Sequence, residues 1–318
     1  MKKIAILSSN IILGFYEPNN PAARAHSLHE KGGSGDDLSH HMLDYQALTH
    51  TLRKHDIAYD LVAWNDPSND WAKYDAVLIH TPWDYFEDKG AFLNTLRAIE
   101  SKTVLLNSFK TVEWNIDKKY LQDVKRCGNN VIETVFINTN TVDDVIDKIP
   151  SYFWEKGCIF KPSVSAGAAD VFLIRDAIQA KKTYLEHFKN KHETLMIQPF
   201  MEEIQQEGEW SFIFFNGQYS HGVLKKAIND GFTVKHSVEN QKYVPTSHMV
   251  EEASNMFQRL EAIRQDNPLY TRIDTIKCAD GQLYIMEVEQ IEPYLYLHAT
   301  QDAAEHLVEG IKDRINAV

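Results

Sequence analysis

Three carboxylates near the end of the chain have the residue types and spacing of a metal site. Asp274 lies in one apolar run of residues, and Glu287 and Glu289 lie in the next, with Asp280-Gly281 between the two runs. If Asp280-Gly281 is the two-residue turn of a β-hairpin, Asp274 lies opposite Glu287, and Glu289 shares that face because side chains alternate along a strand. Like charges in facing positions destabilise a sheet. Mg²⁺ would remove that cost, because it binds carboxylate oxygens together with substrate phosphates.

The same register leaves a second interpretation open. It also places Arg272 opposite Glu289, so a surface ladder of salt bridges could account for part of the pattern. A slip of one residue would move Asp274 to the other face of the hairpin. The sequence therefore favours a metal site at these carboxylates without excluding an ion-pair ladder.

Two lysines could supply positive charge to a phosphate ligand. Lys161 ends the apolar strand Cys158–Phe160, and the loop of small residues that follows, Pro162–Ala169, could close its backbone amides over a phosphate. Lys118 opens a predicted helix, where the amides of the first turn also favour an anion. Each feature alone also fits a solvated lysine at the end of an element.

An apolar segment, Leu195–Met201, turns acidic at Glu202 and Glu203. It could be a buried strand that ends in a hinge, with exposed backbone edges that bind an adenine base. Taken alone, the segment fits a core strand followed by an ordinary loop better, so it does not establish a nucleotide site.

The elements predicted for the first third of the chain are strands that alternate with helices. Short apolar runs that alternate with amphipathic helices are typical of a parallel α/β domain. The predicted strands are Lys3–Leu7, Ala58–Trp64, Ala76–Ile79 and Thr103–Leu106, and the predicted helices include Met42–Leu52 and Phe92–Ile99. Residues 17–40 are predicted to form a long loop.

After about residue 115 the pattern favours antiparallel pairing. Phe212–Phe215 and the residues from Gln218 flank Asn216-Gly217, the strongest short signal for a hairpin turn. Tyr270–Cys278 and Gln282–Glu289 flank the second predicted turn in the same way. Helices are predicted over residues 177–189, 250–265 and 300–316. We therefore predict a parallel α/β domain followed by an α+β region.

Composition and charge exclude several classes of protein. The chain has 318 residues, with 33 Lys and Arg against 45 Asp and Glu, and its net charge is −12. Such an excess of acid argues against a nucleic-acid binder and against an anionic membrane surface, but a few local lysines suffice for a small anionic ligand. Three widely spaced cysteines favour a reducing, cytoplasmic location. We expect neither a signal peptide nor a membrane span, because polar residues interrupt the apolar stretches.

Eight segments, taken together and in order, resemble motifs of the ATP-grasp superfamily of carboxylate–amine ligases. Members of this superfamily include bacterial glutathione synthetase and D-alanine–D-alanine ligase, and the resemblance is greatest to the group of ligases that form cycloserine. The segments cover most of the chain and are Ala63–Asp66, Thr81–Tyr85, Trp114–Leu121, Lys161–Gly167, Gln198–Phe200, Gly208–Ser211, Ser220–Lys225, and Arg272–Asp274 with Glu287–Pro293.

The resemblance implies an α/β pre-ATP-grasp domain of residues 1–113 and an α+β ATP-grasp module, with a small lobe at 114–197 and a large lobe at 198–318. The lobes would clasp ATP. By analogy, the ATP-contacting residues are Lys118 and Lys161 at the phosphates, Ser165, Ala166 and Gly167 in the phosphate loop, Gln198, Pro199, Phe200 and Met201 at the adenine, and Glu209 near the ribose. The remaining residues implied are Asp274, Glu287 and Glu289 around Mg²⁺, and Arg272 and Lys225 at the transferring phosphoryl group or the acyl phosphate.

The implied reaction joins a small-molecule carboxylate to an amine. The carboxylate attacks the γ-phosphorus of ATP, which gives an acyl phosphate and ADP, and the amine then displaces phosphate. Positioning and charge neutralisation carry the first step, so no protein nucleophile is required. Two positions depart from the family pattern, since many members have Asn where this chain has Glu289, and the phosphate loop has one glycine, Gly167. Two alternative functions stay open, a peptide-modifying ligase and a nucleotide-binding protein with a weakened catalytic site. A homodimer is a further possibility for the assembly of the chain.

Several other residues could shape a substrate site. Trp83 and Tyr85 follow a predicted strand, at the edge where open α/β sheets bind ligands, although they could also pack between domains. The 17–40 loop could cover a substrate or lie on the surface, and no cysteine is near its histidines to complete a zinc site. These histidines are His26, His29, His40 and His41. Lys235 could reach substrate or phosphate.

Overall fold

The N-terminal part of the protein is built on a parallel sheet. The computed structural model describes residues 1–16, 35–138, 141–165, 170–189, 194–226 and 243–317. The strands of this first sheet pair in the order β2-β1-β3-β4, and they are β1 (Lys3–Ser8), β2 (Ala58–Ala63), β3 (Ala76–Thr81) and β4 (Val104–Leu106). All of its strand pairs are parallel, as predicted. The central strands β1 and β3 are buried along almost their whole length, which is typical of a parallel sheet covered on both faces.

Helices cover both faces of the N-terminal sheet. They are α1 (Asn10–Tyr16), α2 (Gly35–Lys54), α3 (Lys89–Glu100) and α4 (Phe109–Asn115), whereas the next helix, α5 (Leu121–Arg126), packs in the cluster that contains Phe212 and Ile273. Leu48 and Leu52 of α2 pack in the core cluster that contains Ile4, whereas Phe92 of α3 packs in the cluster that contains Ala5, on the opposite face of β1. The predicted helices at 42–52 and 92–99 are therefore confirmed.

The predicted loop over residues 17–40 is wrong for its last part. Helix α2 begins at Gly35, so His40 and His41 belong to a helix and not to a loop. Helices in proteins are stabilised mainly by packing of an apolar face, and the buried residues Leu48 and Leu52 supply that face although glycine is a poor helix former. Residues 17–34, with His26 and His29, lie outside the described residues.

The middle of the chain forms an antiparallel sheet. Its strands are β5 (Val135–Ile137), β6 (Cys158–Pro162), β7 (Phe172–Ile174) and β8 (Leu195–Pro199), in the order β5-β8-β6-β7. Helices α6 (Val142–Asp147) and α7 (Ala177–Thr183) contribute to its apolar core, and a π-helical segment, Tyr184–Phe188, extends α7. The helix predicted over 177–189 is confirmed as this α7 and π-helical unit.

The third sheet is also antiparallel, and it carries most of the charged residues of interest. Its strands are β9 (Glu209–Phe215), β10 (Gln218–Lys225), β11 (Tyr270–Lys277) and β12 (Leu283–Glu289), in the order β10-β9-β11-β12. The associated helices are α8 (Glu203–Gln206), α9 (Ser247–Arg264) and α10 (Ala303–Asn316). Phe212 and Ile273 face α9, whereas Ile213 and Phe215 face the cluster that contains α10. None of the helices in the described ranges has the length and apolar character needed to cross a bilayer.

The first hairpin has the predicted turn. Phe215 pairs with Gln218, and the two residues between them, Asn216 and Gly217, have positive φ angles of 48° and 80°. This conformation is the one that Asn-Gly favours in a two-residue turn, because both central positions require a left-handed backbone.

In the second hairpin Asp274 pairs with Glu287 as predicted, but the turn differs from the predicted one. Its loop is one residue longer than predicted, because the Cys278 N–H donates to the Gln282 carbonyl at 3.0 Å and leaves three residues, 279–281, in the turn. A bulge at Met286 then shifts the register back, so that Asp274 faces Glu287 as the sequence predicts. The two-residue turn is therefore wrong, but the register at the carboxylates is confirmed.

Candidate active site

Four charged side chains share one face of the β11–β12 hairpin. Asp274 pairs with Glu287 and Arg272 pairs with Glu289, and alternation along each strand places their side chains on the same face. Arg272 forms ion pairs with both Asp274 and Glu289. The two interpretations left open by the sequence thus describe the same residues, and the cross-strand ion pair between Arg272 and Glu289 is present.

Asp274 is surrounded by hydrogen-bond donors. It is only 3% exposed. Its Oδ1 accepts from Ser211 Oγ at 2.6 Å and from Arg272 Nε at 3.0 Å, and its Oδ2 accepts from Lys225 Nζ at 3.1 Å. Burial alone would raise the pKa of Asp274, but the charges of Arg272 and Lys225, together with these hydrogen bonds, hold it well below its usual range. Asp274 therefore stays ionised as the common partner of two cations.

Lys225 joins the first hairpin to the second. It lies opposite Glu209 in the β9–β10 pairing, and it forms ion pairs with Glu209 and with Asp274. Burial would lower the pKa of Lys225, but the two carboxylates raise it above its usual value. For Glu209, burial raises the pKa, and Lys225 offsets the rise only in part. The residue predicted near the ribose thus lies beside the lysine predicted at the phosphoryl group.

Two lysines from the middle of the chain lie near Glu287. Lys118 belongs to a 3₁₀ turn, Lys118–Tyr120, that leads into α5; its Nζ lies 3.1 Å from Glu287 Oε1 and donates to the Ser165 carbonyl at 2.7 Å. Lys161 lies on β6. Burial and the charge of Lys118 lower the pKa of Lys161, while Glu287 acts in the opposite direction. A phosphate group between the two lysines would relieve their mutual repulsion.

Negative charge is crowded where β12 ends. Burial raises the pKa of Glu289 to about 8, with Glu287 and Asp274 adding to the rise against the attraction of Arg272. Burial also raises the pKa of Glu292 to about 7, although the Tyr85 hydroxyl donates a hydrogen bond to it. Desolvated carboxylates that crowd one another retain a proton unless a cation is added.

These carboxylates form a donor set that suits a hard divalent cation such as Mg²⁺. The side chains of Glu287 and Glu289 are 27% and 26% exposed, so both have oxygens that a ligand can reach. Asp274 differs, because both of its oxygens are engaged and one contact would have to break before it could bind a metal. In the part of the chain that the structure describes, no three His, Cys, Asp or Glu side chains already form a metal cluster.

The predicted adenine hinge follows β8. The Gln198 side chain is buried, and its Nε2 donates to Thr134 Oγ1 at 3.0 Å. Pro199 ends the strand. Phe200 is buried, and its N–H donates to the Gly157 carbonyl at 2.9 Å. These contacts fix the hinge segment to the middle sheet.

Met201 lies at the apolar end of the carboxylate face. It packs in a cluster with Ile276, on the same face of β11 as Asp274, and with Met286 at the β12 bulge. An adjoining cavity of about 350 Å³ is lined by Lys125, Asn129, Asn130, Val131, Ile132, Glu133, Pro199, Met201, Cys278 and Tyr284. One face thus runs from charged to apolar residues, which would suit the phosphates and the base of a nucleotide. The adenine assignment stays a prediction.

Only part of the predicted phosphate loop is described. Ser165 Oγ donates to the Pro162 carbonyl at 3.4 Å, and the Ser165 carbonyl accepts from Lys118. Ala166 and Gly167 lie outside the described residues, as does Lys235. The contact with Ser165 places the start of this loop beside Lys118.

Side chains that the sequence did not single out fix the outer edge of β12. Asn115 Nδ2 donates to the Val288 carbonyl at 2.7 Å, and Asn115 Oδ1 accepts from the Gln290 N–H at 2.7 Å. The Tyr120 hydroxyl accepts from the Val288 N–H at 2.9 Å. These bonds satisfy a strand edge and hold the strand that carries the two glutamates. Asn115 and Tyr120 both lie in the Trp114–Leu121 motif that contains Lys118. Nothing in the sequence of that motif indicates that the two side chains bond to the edge of β12.

The N-terminal domain also reaches this region. The Tyr85 hydroxyl bonds to Glu292, and the Trp83 ring lies 4.1 Å from the ring of His41, centroid to centroid. Tyr85 is buried, whereas Trp83 is partly exposed. The two aromatics that follow β3 therefore lie next to the acidic end of β12 and to helix α2.

Comparison with known proteins identifies relatives of the same architecture. The family described as D-cycloserine synthetase DcsG, N-terminal domain, matches residues 33–107. The cycloserine biosynthesis protein DcsG of Streptomyces lavendulae is 24% identical over 287 residues, which cover 86% of this chain and 94% of that protein. The crystal structure of D-cycloserine synthetase DcsG superposes with a TM-score of 0.82 at 23% identity, covering 98% of this chain and 99% of that one.

A second solved structure shares the fold at lower identity. The ATP complex of D-alanine–D-alanine ligase from Bacillus anthracis matches with a TM-score of 0.67 at 15% identity, covering 100% of this chain and 98% of that chain. The parallel N-terminal sheet and the two antiparallel sheets that follow it are the architecture shared with these proteins. The chain is therefore similar in sequence to DcsG and shares the fold of D-cycloserine synthetase and D-alanine–D-alanine ligase.

Proposed function

We propose that this chain is an ATP- and Mg²⁺-dependent ligase that activates a small-molecule carboxylate as an acyl phosphate and joins it to an amine. ADP and phosphate are the other products. The observation that carries the proposal is the single face, inside an ATP-grasp fold, on which Lys118 pairs with Glu287, Lys225 with Asp274, and Arg272 with Glu289. The face combines cations for phosphates with carboxylates for a metal.

The ion pair between Lys118 and Glu287 suggests how a nucleotide binds without leaving either buried charge unpaired. A phosphate offers Lys118 a negative partner, and the magnesium that accompanies a nucleotide offers Glu287 a positive one. Both members of the pair then remain neutralised, whereas the loss of only one partner of a buried pair is costly. Lys161, which already interacts with both charges, would approach the phosphates from β6.

The remaining assignments place the phosphates at the charged end of this face and the adenine at its apolar end, near Met201. Ser165, Ala166 and Gly167 would close over the phosphates. The hinge residues Gln198–Met201 would contact the adenine, and Glu209 would lie near the ribose. Magnesium would neutralise phosphate charge; Glu287 and Glu289 would hold it, with Asp274 as the third ligand once a contact to Lys225 or Arg272 is released.

Arg272 and Lys225 would stabilise negative charge during group transfer. A substrate carboxylate oxygen bonds to the γ-phosphorus, and the bond between that phosphorus and the bridging oxygen breaks, so ADP leaves with the electron pair. The amine nitrogen then bonds to the acyl carbon, phosphate leaves, and the nitrogen loses a proton. Because Asp274 is the shared partner of Arg272 and Lys225, it keeps both cations at one place before reaction.

The division into residues 1–113, 114–197 and 198–318 belongs to the same proposal, as do a cytoplasmic location and a homodimer. The relative DcsG is a cycloserine biosynthesis protein. By analogy we propose small carboxylates and amines, and neither nucleic acid nor membrane, as the partners of this chain.

The test is ADP release by the full chain with ATP, Mg²⁺ and a panel of small carboxylates and amines. Glu287→Gln removes the charge while keeping the shape, and we expect turnover to fall about 100-fold or more. Glu309→Gln, the same change at an exposed position of α10, is the matched control and should leave turnover unchanged. Retention of more than about a tenth of the wild-type rate by Glu287→Gln would contradict the metal assignment.

A further inference from the structure

The residue that follows β4 is a buried asparagine whose side-chain amide is fully hydrogen-bonded. Asn107 is only 1% exposed. Its Nδ2 donates to the carbonyl oxygens of Tyr270 and Gln290, at 2.9 and 2.8 Å. Its Oδ1 accepts from the N–H groups of Leu269 and Tyr270, at 2.6 and 3.4 Å. An asparagine amide has two N–H donors and one oxygen with two lone pairs, so these four bonds use all of its polar capacity.

The bonds of Asn107 close the open end of the β11–β12 hairpin. The turn at residues 279–281 joins the two strands at their other end, whereas Tyr270 begins β11 and Gln290 follows the last residue of β12. Gln290 Nε2 also donates to Thr271 Oγ1 at 2.8 Å, across the hairpin. The free ends of paired strands are the parts that open most readily. One amide that bonds to both strands therefore holds the end that the turn does not.

The open end is also the charged end of the candidate active site. Arg272 lies two residues beyond Tyr270, and Glu289 directly precedes Gln290. Arg272 and Glu289 face each other across the hairpin and form an ion pair. The next facing pair on the same side contains the other two carboxylates of the site. A shift of the backbone at this end would therefore move the phosphoryl-transfer cation relative to the magnesium ligands.

A second buried side chain ties the hairpin back to the N-terminal domain. Tyr270 is 1% exposed, and its hydroxyl lies 2.9 Å from the Ile79 carbonyl oxygen on β3 and 2.8 Å from the Ile291 carbonyl oxygen after β12. Burial raises the pKa of this hydroxyl, so it keeps its proton and remains a donor. Asn107 and Tyr270 thus form one polar junction between the end of the parallel sheet and the carboxylate hairpin.

The surroundings of this junction are apolar. Leu106, Leu269 and the Tyr270 ring belong to one buried cluster together with Phe215. A buried carbonyl oxygen that loses its donor keeps the cost of its desolvation without compensation. Loss of the Asn107 amide would therefore favour a movement of the strand ends toward other donors or toward water.

We propose that Asn107 is a positioning residue of the ligase, whose amide sets the placement of Arg272 relative to the carboxylates of β12. This inference rests on the proposed function and adds a residue outside the eight segments that resemble ATP-grasp motifs. Asn107 acts through the backbone of Tyr270 and Gln290, and it has no polar atom left for ATP, metal or substrate. Group transfer depends on the exact placement of charge, since a displacement of about 1 Å can cost about 100-fold in rate.

Asn107→Ala removes the amide and leaves its apolar neighbours in place. The full chain is assayed with ATP, Mg²⁺ and the carboxylate and amine that give the fastest ADP release, and we expect kcat to fall roughly 10- to 100-fold. The Mg²⁺ concentration that gives half of the maximal rate should rise roughly 10-fold, because the metal ligands of β12 are less well oriented. KM for ATP at saturating Mg²⁺ should change less than about twofold, since the proposed adenine hinge follows β8 and lies outside the junction.

Two further variants separate positioning from stability. Thr103→Val, at the other end of β4, also removes a bond from a side chain to the backbone, because Thr103 Oγ1 donates to the Tyr74 carbonyl at 2.7 Å. This matched control should lower the melting temperature and leave both kcat and the Mg²⁺ requirement unchanged, which is also what a purely structural role predicts for Asn107→Ala. Tyr270→Phe removes only the hydroxyl of the junction and should lower kcat roughly 3- to 10-fold.

Metal binding is measured independently of turnover, as the further rise in melting temperature that Mg²⁺ causes when ATP is present. For Asn107→Ala we expect this rise to require more Mg²⁺, while the rise caused by ATP alone is kept. Unchanged kcat and unchanged Mg²⁺ dependence would overturn the proposal, and if Asn107→Ala does not fold, the same results for Tyr270→Phe would overturn it. Absence of ADP release by the wild type would count against the ligase function instead, and the Mg²⁺ titration of the melting temperature would then decide the role of Asn107.

Discussion

The substitution Asp274→Asn should destabilise the protein more than any exposed acidic substitution. Asp274 accepts hydrogen bonds from Ser211, Arg272 and Lys225, and it is 3% exposed. The amide would leave two buried cations without their shared charge. Removal of one partner of a buried ion pair costs about 3–5 kcal/mol. Glu209 and Glu289 remain as partners of these cations, so we expect the lower end, about 3 kcal/mol.

Urea-induced unfolding of the full chain measures this loss as a decrease in the free energy of unfolding. Ser211→Ala removes a single hydrogen bond to the same carboxylate and should cost about 1 kcal/mol. Asp147→Asn, at an exposed position of α6, should change the free energy of unfolding by less than about 0.5 kcal/mol. A loss for Asp274→Asn no larger than that for Ser211→Ala would refute the view of Asp274 as the anchor of Arg272 and Lys225.

The pH dependence of unfolding gives an independent check on Asp274. Its folded-state pKa lies below the usual range, so the stabilisation that it provides is present above the unfolded pKa of about 4. This stabilisation is lost as the pH falls through the folded pKa. The difference in free energy of unfolding between wild type and Asp274→Asn should therefore be largest near neutral pH and shrink in acid. A difference that does not change with pH would show that the loss comes from shape and not from charge.

Two further substitutions test the positions of the cations. Lys161→Ala should weaken ATP binding roughly tenfold in a calorimetric titration, whereas Lys181→Ala on the exposed side of α7 should not change it, and equal affinities would remove Lys161 from the site. Gly208→Ala should cost about 3 kcal/mol and lower activity, because Gly208 has a φ of +111° and its added Cβ would lie 2.5 Å from the Lys225 carbonyl oxygen. Gly217→Ala, with a φ of +80° and no atom within 4 Å of the added Cβ, should cost only about 1 kcal/mol and spare activity; equal effects of the two changes would contradict this account.

Much of the fold follows from local sequence signals. The alternation of apolar strands and amphipathic helices gives the parallel sheet, and Asn216-Gly217 gives the first hairpin, because both signals act within a few residues. Helix α2 shows the limit of such signals. Its glycine-rich start predicts a loop, yet the helix begins at Gly35 because burial of Leu48 and Leu52 outweighs local propensity.

The site is predictable in its residue types but not in its contacts. Arg272, Asp274 and the two glutamates of β12 are recognisable from alternation, since strand geometry alone puts them on one face. The pairing of Asp44 with His298 joins residues that are far apart in sequence, and no local pattern signals it. Which carboxylate each cation meets likewise depends on tertiary packing. The roles of these residues in binding ATP and Mg²⁺ remain predictions.

The second hairpin shows why the register at the carboxylates was predicted correctly from a wrong turn. The loop is one residue longer than predicted, and the bulge at Met286 compensates for the extra residue. Asn115 and Tyr120 hold the outer edge of β12 beyond the bulge, at Val288, independently of the turn. The alignment of Glu287 with Asp274 is therefore fixed by contacts with the preceding segment of the chain, and the same segment carries Lys118. One short motif thus supplies a cation to the site and sets the register of the strand that provides its carboxylates.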